Sequence, residues 1–474
     1  MDVINHTQSL CPECLKVVSA HICRTKDKVV LKKKCHAHGP SEIVISNDPA
    51  WYDRVMAFET RLEKPDTVLK KTQAGCPFDC GFCDAHQQRM VLPVVPVTSA
   101  CNLNCPVCYT INKNKTPFFI TREKFKEILA QIEVDDPDMR LINFTGGEPL
   151  MHPEFVELVE MCREAGIHRI TISTNGLRFL ENETLLERLT ELDARIVFSF
   201  NSFDRAPYIA TAGKDLLEEK LNILRLLEKH KPSTTLLSVA AFGINDQEIG
   251  DIVAYVMQSD FIVSSEIHTV TFTGQNVGRF AQTTRLTIPD VISGIVKKNP
   301  DIGMEDFLPS PCAHPLCYAV CYLLKTENTH TVPFARFMKD EDIAKILARS
   351  LYMQPDLATE EVMNDVLNDV WSRELSGEKE ALIISQMRSM LEEIYPAKPV
   401  DYMTRQRRAE QHIKAVYIHS HMDAANFDVQ RAKRCCVAVP DGNGCYIPTC
   451  TYNNIYRARD TRFCDIIRHT DTDA

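Results

Sequence analysis

The sequence predicts an α/β protein built on a parallel sheet, and three observations support this fold class. Between residues 115 and 285, apolar stripes with helical spacing alternate with short strand-like runs. At least five such units follow one another, which is typical of βαβ units on a parallel sheet. Polar and small residues follow each strand-like run, as in barrels whose active sites lie at the carboxyl ends of the strands. We therefore expect a full or partial (β/α) barrel, with an open doubly wound sheet as the alternative.

The predicted strands and helices can be placed in order along this region. Strands are expected at 141–145, 169–174, 195–200, 234–241 and 261–270. Helices are expected around 125–132, 155–162, 185–192, 216–227 and 246–257. The segment 339–415 is acidic with a helical pattern, and the C-terminal end is rich in loops. The predicted parts are an N-terminal module at 1–75, a cysteine loop at 76–95, a barrel core at 96–285 and a C-terminal region at 286–474.

Composition and charge narrow the class of protein. The chain has 474 residues, of which 44% are hydrophobic and 25% charged, as is ordinary for a globular protein. No run approaches the roughly 18 apolar residues of a membrane-spanning helix, and the first residues lack a secretion signal. The net charge of −10 argues against non-specific binding to nucleic acid. We expect a cytoplasmic protein with no transmembrane segment and no nucleic-acid partner.

The 19 cysteines are the unusual feature of the composition. Disulfide scaffolds are usually small and secreted, whereas grouped cysteines in a large chain more often bind metal. The groups are Cys11 and Cys14; Cys76, Cys80 and Cys83; Cys101, Cys105 and Cys108; Cys312, Cys317 and Cys321; and Cys435, Cys436, Cys445, Cys450 and Cys464. By contrast, Cys162 lies on the apolar stripe of a predicted helix, and we expect it to be a core residue.

Three thiolates in one C-x3-C-x2-C loop can hold three corners of an iron–sulfur cubane and leave one iron open. The segment 97–109, VTSACNLNCPVCY, resembles the cluster loop of the radical S-adenosylmethionine (SAM) superfamily. The resemblance implies that Cys101, Cys105 and Cys108 hold a [4Fe–4S] cluster whose open iron binds SAM. It also implies that the reduced cluster cleaves SAM and releases a 5′-deoxyadenosyl radical. A departure from the pattern is Val107, because this position is commonly aromatic in the superfamily.

The resemblance extends to segments that follow three predicted strands. TGGEP at 145–149 resembles the superfamily segment that holds the SAM amino group, and a carboxylate suits an ammonium. STNG at 173–176 resembles the segment that lines the ribose and carboxylate, and GINDQE at 243–248 resembles the one beside the adenine. The SAM-binding residues that this resemblance implies are Gly146, Gly147, Glu148, Ser173, Asn175, Ser199, Asn201 and Gly243.

The remaining cysteine groups predict further metal sites. Cys76, Cys80 and Cys83 repeat the triad spacing without a second barrel to serve, so we expect an auxiliary cluster completed by a distant cysteine. The cysteine count allows one or two auxiliary [4Fe–4S] clusters. The candidate ligands near the C-terminus are Cys312, Cys317, Cys435, Cys436 and Cys450, and no role is assigned to Cys321, Cys445 and Cys464.

The N-terminal module has the spacing of a mononuclear site. Cys11, Cys14, Cys35 and His38 suit tetrahedral zinc or a rubredoxin-like iron, with Cys23 as the alternative to His38.

The order of these motifs along the chain resembles one subgroup of the superfamily. That subgroup contains an archaeal tetraether synthase, which joins lipid tail carbons, and a hydroxymethyl-dihydropterin methylase. The resemblance implies hydrogen abstraction from an unactivated C–H bond, followed by carbon–carbon bond formation or methyl transfer.

We favour a pterin-type small metabolite as substrate, with a lipid as the alternative. A non-catalytic iron–sulfur electron-transfer protein is the alternative of another class. The resemblance also implies an electron donor such as ferredoxin or flavodoxin. The sequence identifies no catalytic residue, and we expect His412, His419 and His421 to be structural.

Overall fold

The computed structural model describes residues 2–58, 60–65, 68, 70–81, 83–112, 114–136, 141–282, 285–326, 330–372, 378–440 and 445–465. The chain begins with a small antiparallel sheet in the order β1-β2-β3-β4, followed by one helix. Its strands are β1 (Asp2–Leu10), β2 (Val17–Arg24), β3 (Val29–Cys35) and β4 (Gly39–Ser46), and the helix is α1 (Pro49–Met56). Asp48 caps α1 by accepting hydrogen bonds from the amides of Ala50 and Trp51.

Six parallel strands separated by helices form the centre of the molecule. The strands are β5 (Leu92–Thr98), β6 (Leu141–Gly146), β7 (Arg169–Thr174), β8 (Arg195–Ser199), β9 (Thr234–Ala240) and β10 (Ile262–Thr269). The helices are α2 (Arg122–Asp135), α3 (Phe155–Glu164), α4 (Leu177–Glu181), α5 (Glu183–Glu191), α6 (Arg205–Ala212), α7 (Leu217–His230), α8 (Ile249–Gln258) and α9 (Ile288–Lys298).

The C-terminal region contributes both helices and strands. Its strands are β11 (Leu308–Pro309), β12 (Tyr318–Lys325), β13 (Thr331–Pro333), β14 (Ile413–His419), β15 (Val437–Pro440) and β16 (Tyr446–Pro448). Its helices are α10 (Asp340–Ile346), α11 (Leu357–Ser372), α12 (Glu378–Ile394), α13 (Tyr402–His412) and α14 (Val429–Lys433).

The large sheet has the order β11-β12-β14-β10-β9-β8-β7-β6-β5-β15-β16, with β13 paired to β12. Strand β14 runs parallel to β10, and β15 runs parallel to β5, so the C-terminal region extends the parallel sheet at both edges. Strands β12 and β16 then pair antiparallel outside them. Among the described residues the two ends of this sheet do not pair with each other, so the barrel is partial. This confirms the predicted α/β class and selects the partial barrel.

Successive side chains along each parallel strand point alternately into the hydrophobic core and into the barrel interior. In β7, Ile170 and Ile172 are fully buried against the outer helices, whereas Thr171 and Ser173 line a central cavity. Cys162 of α3 is fully buried in the same core, as expected for an apolar stripe. In the described part of the chain, no helix is long and apolar enough to cross a membrane.

Candidate active site and metal centres

The Cys101–Cys108 loop follows β5 and lies at the carboxyl end of the parallel strands. The backbone of the segment after β10 supports this loop at Cys108, because the amides of Gln275 and Asn276 both donate to the Cys108 carbonyl. A Cβ on Gly274 would lie 2.3 Å from the backbone of Tyr109, so only glycine permits this approach. The cluster loop is therefore braced by backbone contacts.

The two glycines after β6 bring this turn against the residues that precede Cys101. The Gly147 amide donates to the Thr98 carbonyl at 2.8 Å, and the Glu148 amide donates to the Ala100 carbonyl at 2.7 Å. A Cβ on Gly146 or Gly147 would lie 2.2 Å from the Thr98 or the Ala100 carbonyl oxygen. These glycines therefore fix the position of Glu148 relative to the cluster loop.

Glu148 is buried, with its carboxylate held by three donors. Oε1 accepts from the Leu150 amide at 3.2 Å and the Thr174 hydroxyl at 2.6 Å, and Oε2 accepts from the Asn175 amide at 2.8 Å. Burial raises the pKa of Glu148, and the hydrogen bonds from Thr174 and Asn175 oppose that rise. Since a carboxylate offers about four acceptor positions, one remains for a ligand cation.

The end of β7 is tied to the cluster loop. The Asn175 side chain donates to Asn102 Oδ1 at 2.7 Å and accepts from the Leu177 amide at 3.0 Å. Ser173 donates to Asn143 Oδ1 at 3.2 Å and lines the cavity. Of these two predicted SAM-binding residues, Asn175 therefore lies against the cluster loop and Ser173 lies inside the barrel.

Lys220 of α7 is a site residue that the sequence analysis missed. Its ammonium is buried and donates to the carbonyls of Asn175 and Ser199 and to the Ser199 hydroxyl, at 2.7–3.0 Å. Burial lowers the pKa of Lys220 to about 8, while Cys105 and Glu148 oppose that change. The only sequence signal was a lysine within the apolar pattern of a helix, which is usually a solvated residue.

The remaining predicted SAM-binding residues have structural partners. Asn201 accepts from the Val239 amide at 2.9 Å, and Gly243 sits in a left-handed turn with its amide donating to Asp246 at 2.8 Å. Val107 is buried among Ala241, Val270 and Phe272. The valine therefore fills an apolar layer below the cluster loop.

The barrel encloses a cavity of about 330 Å³ that reaches from the cluster loop down the strands. Near the loop it is lined by Cys108, Tyr109, Gly146 and Gly147. Further polar lining comes from Asn143, Thr171, Ser173, Thr235, Ser264, Glu266, His268, His419, His421 and Arg457. Apolar side chains such as Val94, Val197, Leu237 and Val437 complete the wall. The cavity has the mixed lining of a small-molecule site.

Arg457 connects the C-terminal segment to the cluster loop and to the turn after β6. The buried guanidinium donates to the Ile111 carbonyl at 2.9 Å, to Asn112 Oδ1 at 2.7 Å and to the Gly146 carbonyl at 3.3 Å. These contacts hold the positive charge of Arg457 at the edge of the cavity.

The Cys76–Cys83 loop packs against the C-terminal segment. The Tyr456 hydroxyl donates to the Phe78 carbonyl at 2.8 Å. A Cβ on Gly81 would lie 3.2 Å from the Cys445 sulfur, so Cys445 lies directly against this loop. The sequence analysis assigned no role to Cys445, because the cysteine count left three cysteines to spare and spacing alone does not show which of them reaches this loop.

The five predicted C-terminal ligands lie close together. Cys312 Sγ is 4.0 Å from Cys436 Sγ, and burial together with charge on Cys450 and Cys317 raises the pKa of Cys435. Burial, and to a lesser extent Cys317, raises the pKa of Cys450 to about 11. A bound metal would stabilise such thiolates. Cys321 lies apart from them in the strand core.

The N-terminal sheet brings Cys11, Cys14, Cys35 and His38 together, with one ligand atom from each lying within 4.8 Å of all the others. His38 Nδ1 is 3.6 Å from Cys11 Sγ and 3.5 Å from Cys35 Sγ. Cys23 is buried elsewhere in β2, where its thiol faces the His21 carbonyl. The four residues have the donor set of a tetrahedral zinc site.

Comparison with known families matches two parts of the chain. Residues 95–256 match the model of the radical SAM superfamily. Residues 3–47 match a model described as the HMPTM N-terminal zinc ribbon domain. The matched ranges contain the cluster loop with the GGEP segment and the four-ligand site, respectively.

Two curated relatives differ in how much of the chain they share. The 7,8-dihydro-6-hydroxymethylpterin dimethyltransferase of Methanocaldococcus jannaschii is 29% identical, over 95% of this chain and 94% of its own. The GTP 3′,8-cyclase of Chlorobaculum tepidum is 33% identical over 36% of this chain and 51% of its own. Among solved structures, Streptococcus suis SuiB with its precursor peptide SuiA covers 46% of each chain at 16% identity and a TM-score of 0.39.

Proposed function

Because the chain is a radical SAM enzyme, with the superfamily domain at residues 95–256, we propose that it transfers methyl groups to unactivated carbons of a pterin-type metabolite. The observation that carries this proposal is the enclosed cavity beside Cys108 and Gly146, where polar groups converge within an apolar wall. The similarity to a pterin dimethyltransferase over nearly the full length of both chains supports the same substrate class.

The cavity lining offers polar groups that a heteroaromatic substrate could use. A lipid requires an apolar channel, whereas Asn143, Thr171 and Glu266 each place oxygen atoms on this wall. A ring system with several nitrogen donors and acceptors can use these groups. These groups also bond to one another and to their neighbours, since Asn143 Oδ1 accepts from Thr171 and Ser173, and Glu266 contacts His268.

The residues at the mouth of the cavity fit a SAM-bound cluster. We assign Cys101, Cys105 and Cys108 to the cluster, Glu148 to the SAM amino group, and Ser173 and Asn175 to the ribose and carboxylate. When bound, the cluster and SAM together supply a 5′-deoxyadenosyl radical that abstracts hydrogen. The protein's part is to hold these groups against the cavity and to exclude water from it.

We further propose two auxiliary [4Fe–4S] clusters and one mononuclear zinc. Cys445 completes the cluster of Cys76, Cys80 and Cys83, as its contact with Gly81 suggests. Four of the five grouped C-terminal cysteines hold the second cluster, and the match to a zinc ribbon favours zinc over iron at Cys11, Cys14, Cys35 and His38. A low-potential protein such as ferredoxin or flavodoxin would supply the electrons.

The test uses the anaerobically reconstituted full chain with SAM, a reductant and a 7,8-dihydropterin carrying a 6-hydroxymethyl group. The methyl donor is excess SAM in one arm and a methylene- or methyl-tetrahydropterin in the other. We expect 5′-deoxyadenosine and pterin products heavier by one or two methyl groups, measured by mass spectrometry. The matched control changes Cys101, Cys105 and Cys108 together to Ala, which should abolish both products while the auxiliary iron remains. SAM cleavage without any change in the pterin would reject the substrate, and cleavage by the triple variant would reject the cluster assignment.

A further inference from the structure

We propose that His268, His419 and His421 form a divalent-metal site of the zinc class on the wall of the barrel cavity. The site borders the C-terminal cysteines, since His421 Nδ1 lies 3.6 Å from Cys450 Sγ. One ring nitrogen from each residue lies within 4.8 Å of the other two. His268 and His419 are directly opposite each other in the register of β10 and β14, and His421 follows two residues later. Three imidazoles with an open fourth position are the ligand set of catalytic zinc sites.

Neighbouring aromatic rings and a carboxylate hold the three imidazoles in place. Tyr318 stacks on His419 with ring centroids 3.9 Å apart, and Tyr109 stacks on His421 at 5.0 Å. Glu266 Oε1 lies 2.7 Å from His268 Nε2, which leaves Nδ1 of that ring with a lone pair. A carboxylate bound to the outer nitrogen of a ligating histidine is a common support in metal sites.

His421 provides an independent indication of a ligand. Its side chain is buried, and within the described part of the chain its Nε2 has no hydrogen-bond partner. Buried polar atoms are almost always paired, so an unpaired imidazole nitrogen calls for a partner. A metal ion bound to this nitrogen would satisfy it.

Two charged side chains lie near the three imidazoles. The Glu266 carboxylate faces His268 Nε2, and its negative charge favours a cation on these rings. The Arg431 guanidinium donates to the Ser420 carbonyl at 2.6 Å and to the Cys317 sulfur at 3.4 Å.

Because all three histidines line the cavity, the open position would face the bound substrate. The proposal does not depend on the pterin assignment, since it concerns the metal alone.

Zinc counting on the full chain tests the proposal. The reconstituted protein is loaded with zinc, desalted, and measured for zinc and iron by mass spectrometry. We expect about two zinc ions per chain, one in the ribbon and one on the histidines. His419→Ala should retain about one, as should Cys35→Ser, whereas the control His412→Ala should retain both. An unchanged iron content and the circular-dichroism spectrum of a folded protein show that each variant retains its structure.

X-ray absorption at the zinc edge of Cys35→Ser provides a second measurement that does not rely on the histidine variants. Nitrogen scattering at about 2.0 Å without sulfur at about 2.3 Å supports the site. A wild-type count of one zinc, a His419→Ala count of two, or sulfur scattering in Cys35→Ser overturns it. Should His419→Ala fail to fold, His421→Asn takes its place with the same expected count.

Discussion

The Thr174 hydroxyl donates a 2.6 Å hydrogen bond to Glu148 Oε1 and so joins the end of β7 to the turn after β6. The Asn175 amide donates to the other carboxylate oxygen, and the Asn175 side chain reaches Asn102 in the cluster loop. The GGEP segment, the end of β7 and the cluster loop therefore form one hydrogen-bonded unit. Glu148 has a structural task in this unit as well as its proposed role in binding the SAM ammonium.

Glu148→Gln should weaken SAM binding by roughly 5- to 150-fold. The change keeps the size of the side chain and removes the charge that pairs with the ammonium, at a cost of roughly 1–3 kcal/mol, and each tenfold in affinity corresponds to about 1.4 kcal/mol. Titration of SAM into the reconstituted variant, with its iron content checked, gives the dissociation constant. Glu164→Gln, at the exposed end of α3, is the matched control and should bind as the wild type does. If Glu148→Gln bound SAM with wild-type affinity, Glu148 would have only its structural task and no role in binding the ammonium.

Gly147→Ala should displace the cluster loop. A Cβ at this position would lie 2.2 Å from the Ala100 carbonyl oxygen, and backbone cannot yield as a flexible side chain can. We expect at least a tenfold loss of SAM cleavage, with the auxiliary iron retained. Gly294→Ala in α9 is the control, because its added Cβ would meet only ordinary contacts. Equal 5′-deoxyadenosine production by the two variants would contradict this account.

The central strands were predictable because their signal is local. In β7 the alternation of isoleucines with Thr171 and Ser173 matches a strand with one face on the core and the other on the cavity, and its predicted limits agree with the structure. The position of Glu148 next to the cluster loop also followed from motif order, since the carboxyl ends of parallel strands meet at one edge.

The C-terminal strands and the distant contacts were not predictable in this way. Strand β15 has only four residues, and the seven residues of β14 are mostly buried and follow a helical, acidic segment. Neither strand therefore shows the alternation that reveals a half-buried strand. Their pairing with β10 and β5 is decided by tertiary contact. The same reason applies to Cys445 beside Gly81 and to the histidines, which come from two strands and a loop.

Lys414→Met should destabilise the protein more at high pH than at neutral pH. Lys414 is buried, and its Nζ donates to the Ser259 carbonyl at 2.5 Å and to the Ile262 carbonyl, which joins β14 to the start of β10. Burial lowers the pKa of Lys414 to about 7, against about 10.4 for an unfolded lysine. Between these values the unfolded chain binds one more proton, so this lysine makes the wild type more stable as the pH rises above 7.

Thermal unfolding of the two proteins at pH 7, 8 and 9 measures this effect. The stability difference between wild type and Lys414→Met should grow by up to about 1.4 kcal/mol per pH unit. Lys345→Met, which removes an exposed lysine of α10, is the control for the loss of a lysine as such. A constant difference for Lys414→Met would mean that the lysine has an ordinary pKa in the folded protein.

Cys445→Ala should remove one auxiliary cluster and leave the SAM cluster in place. The Cys445 sulfur lies against Gly81, between the second and third cysteines of the Cys76–Cys83 loop, and a cubane without its fourth thiolate is readily lost. Three cubanes predict about 12 iron ions in the wild type, and about 8 in the variant. Iron and sulfide analysis with Mössbauer spectroscopy counts the clusters. Cys321→Ala, which removes a buried thiol from the strand core, is the matched control and should keep about 12 iron ions.

SAM cleavage without substrate should persist in Cys445→Ala, because the Cys101 loop is unchanged. A full iron count in that variant would assign the fourth ligand of this cluster to another residue.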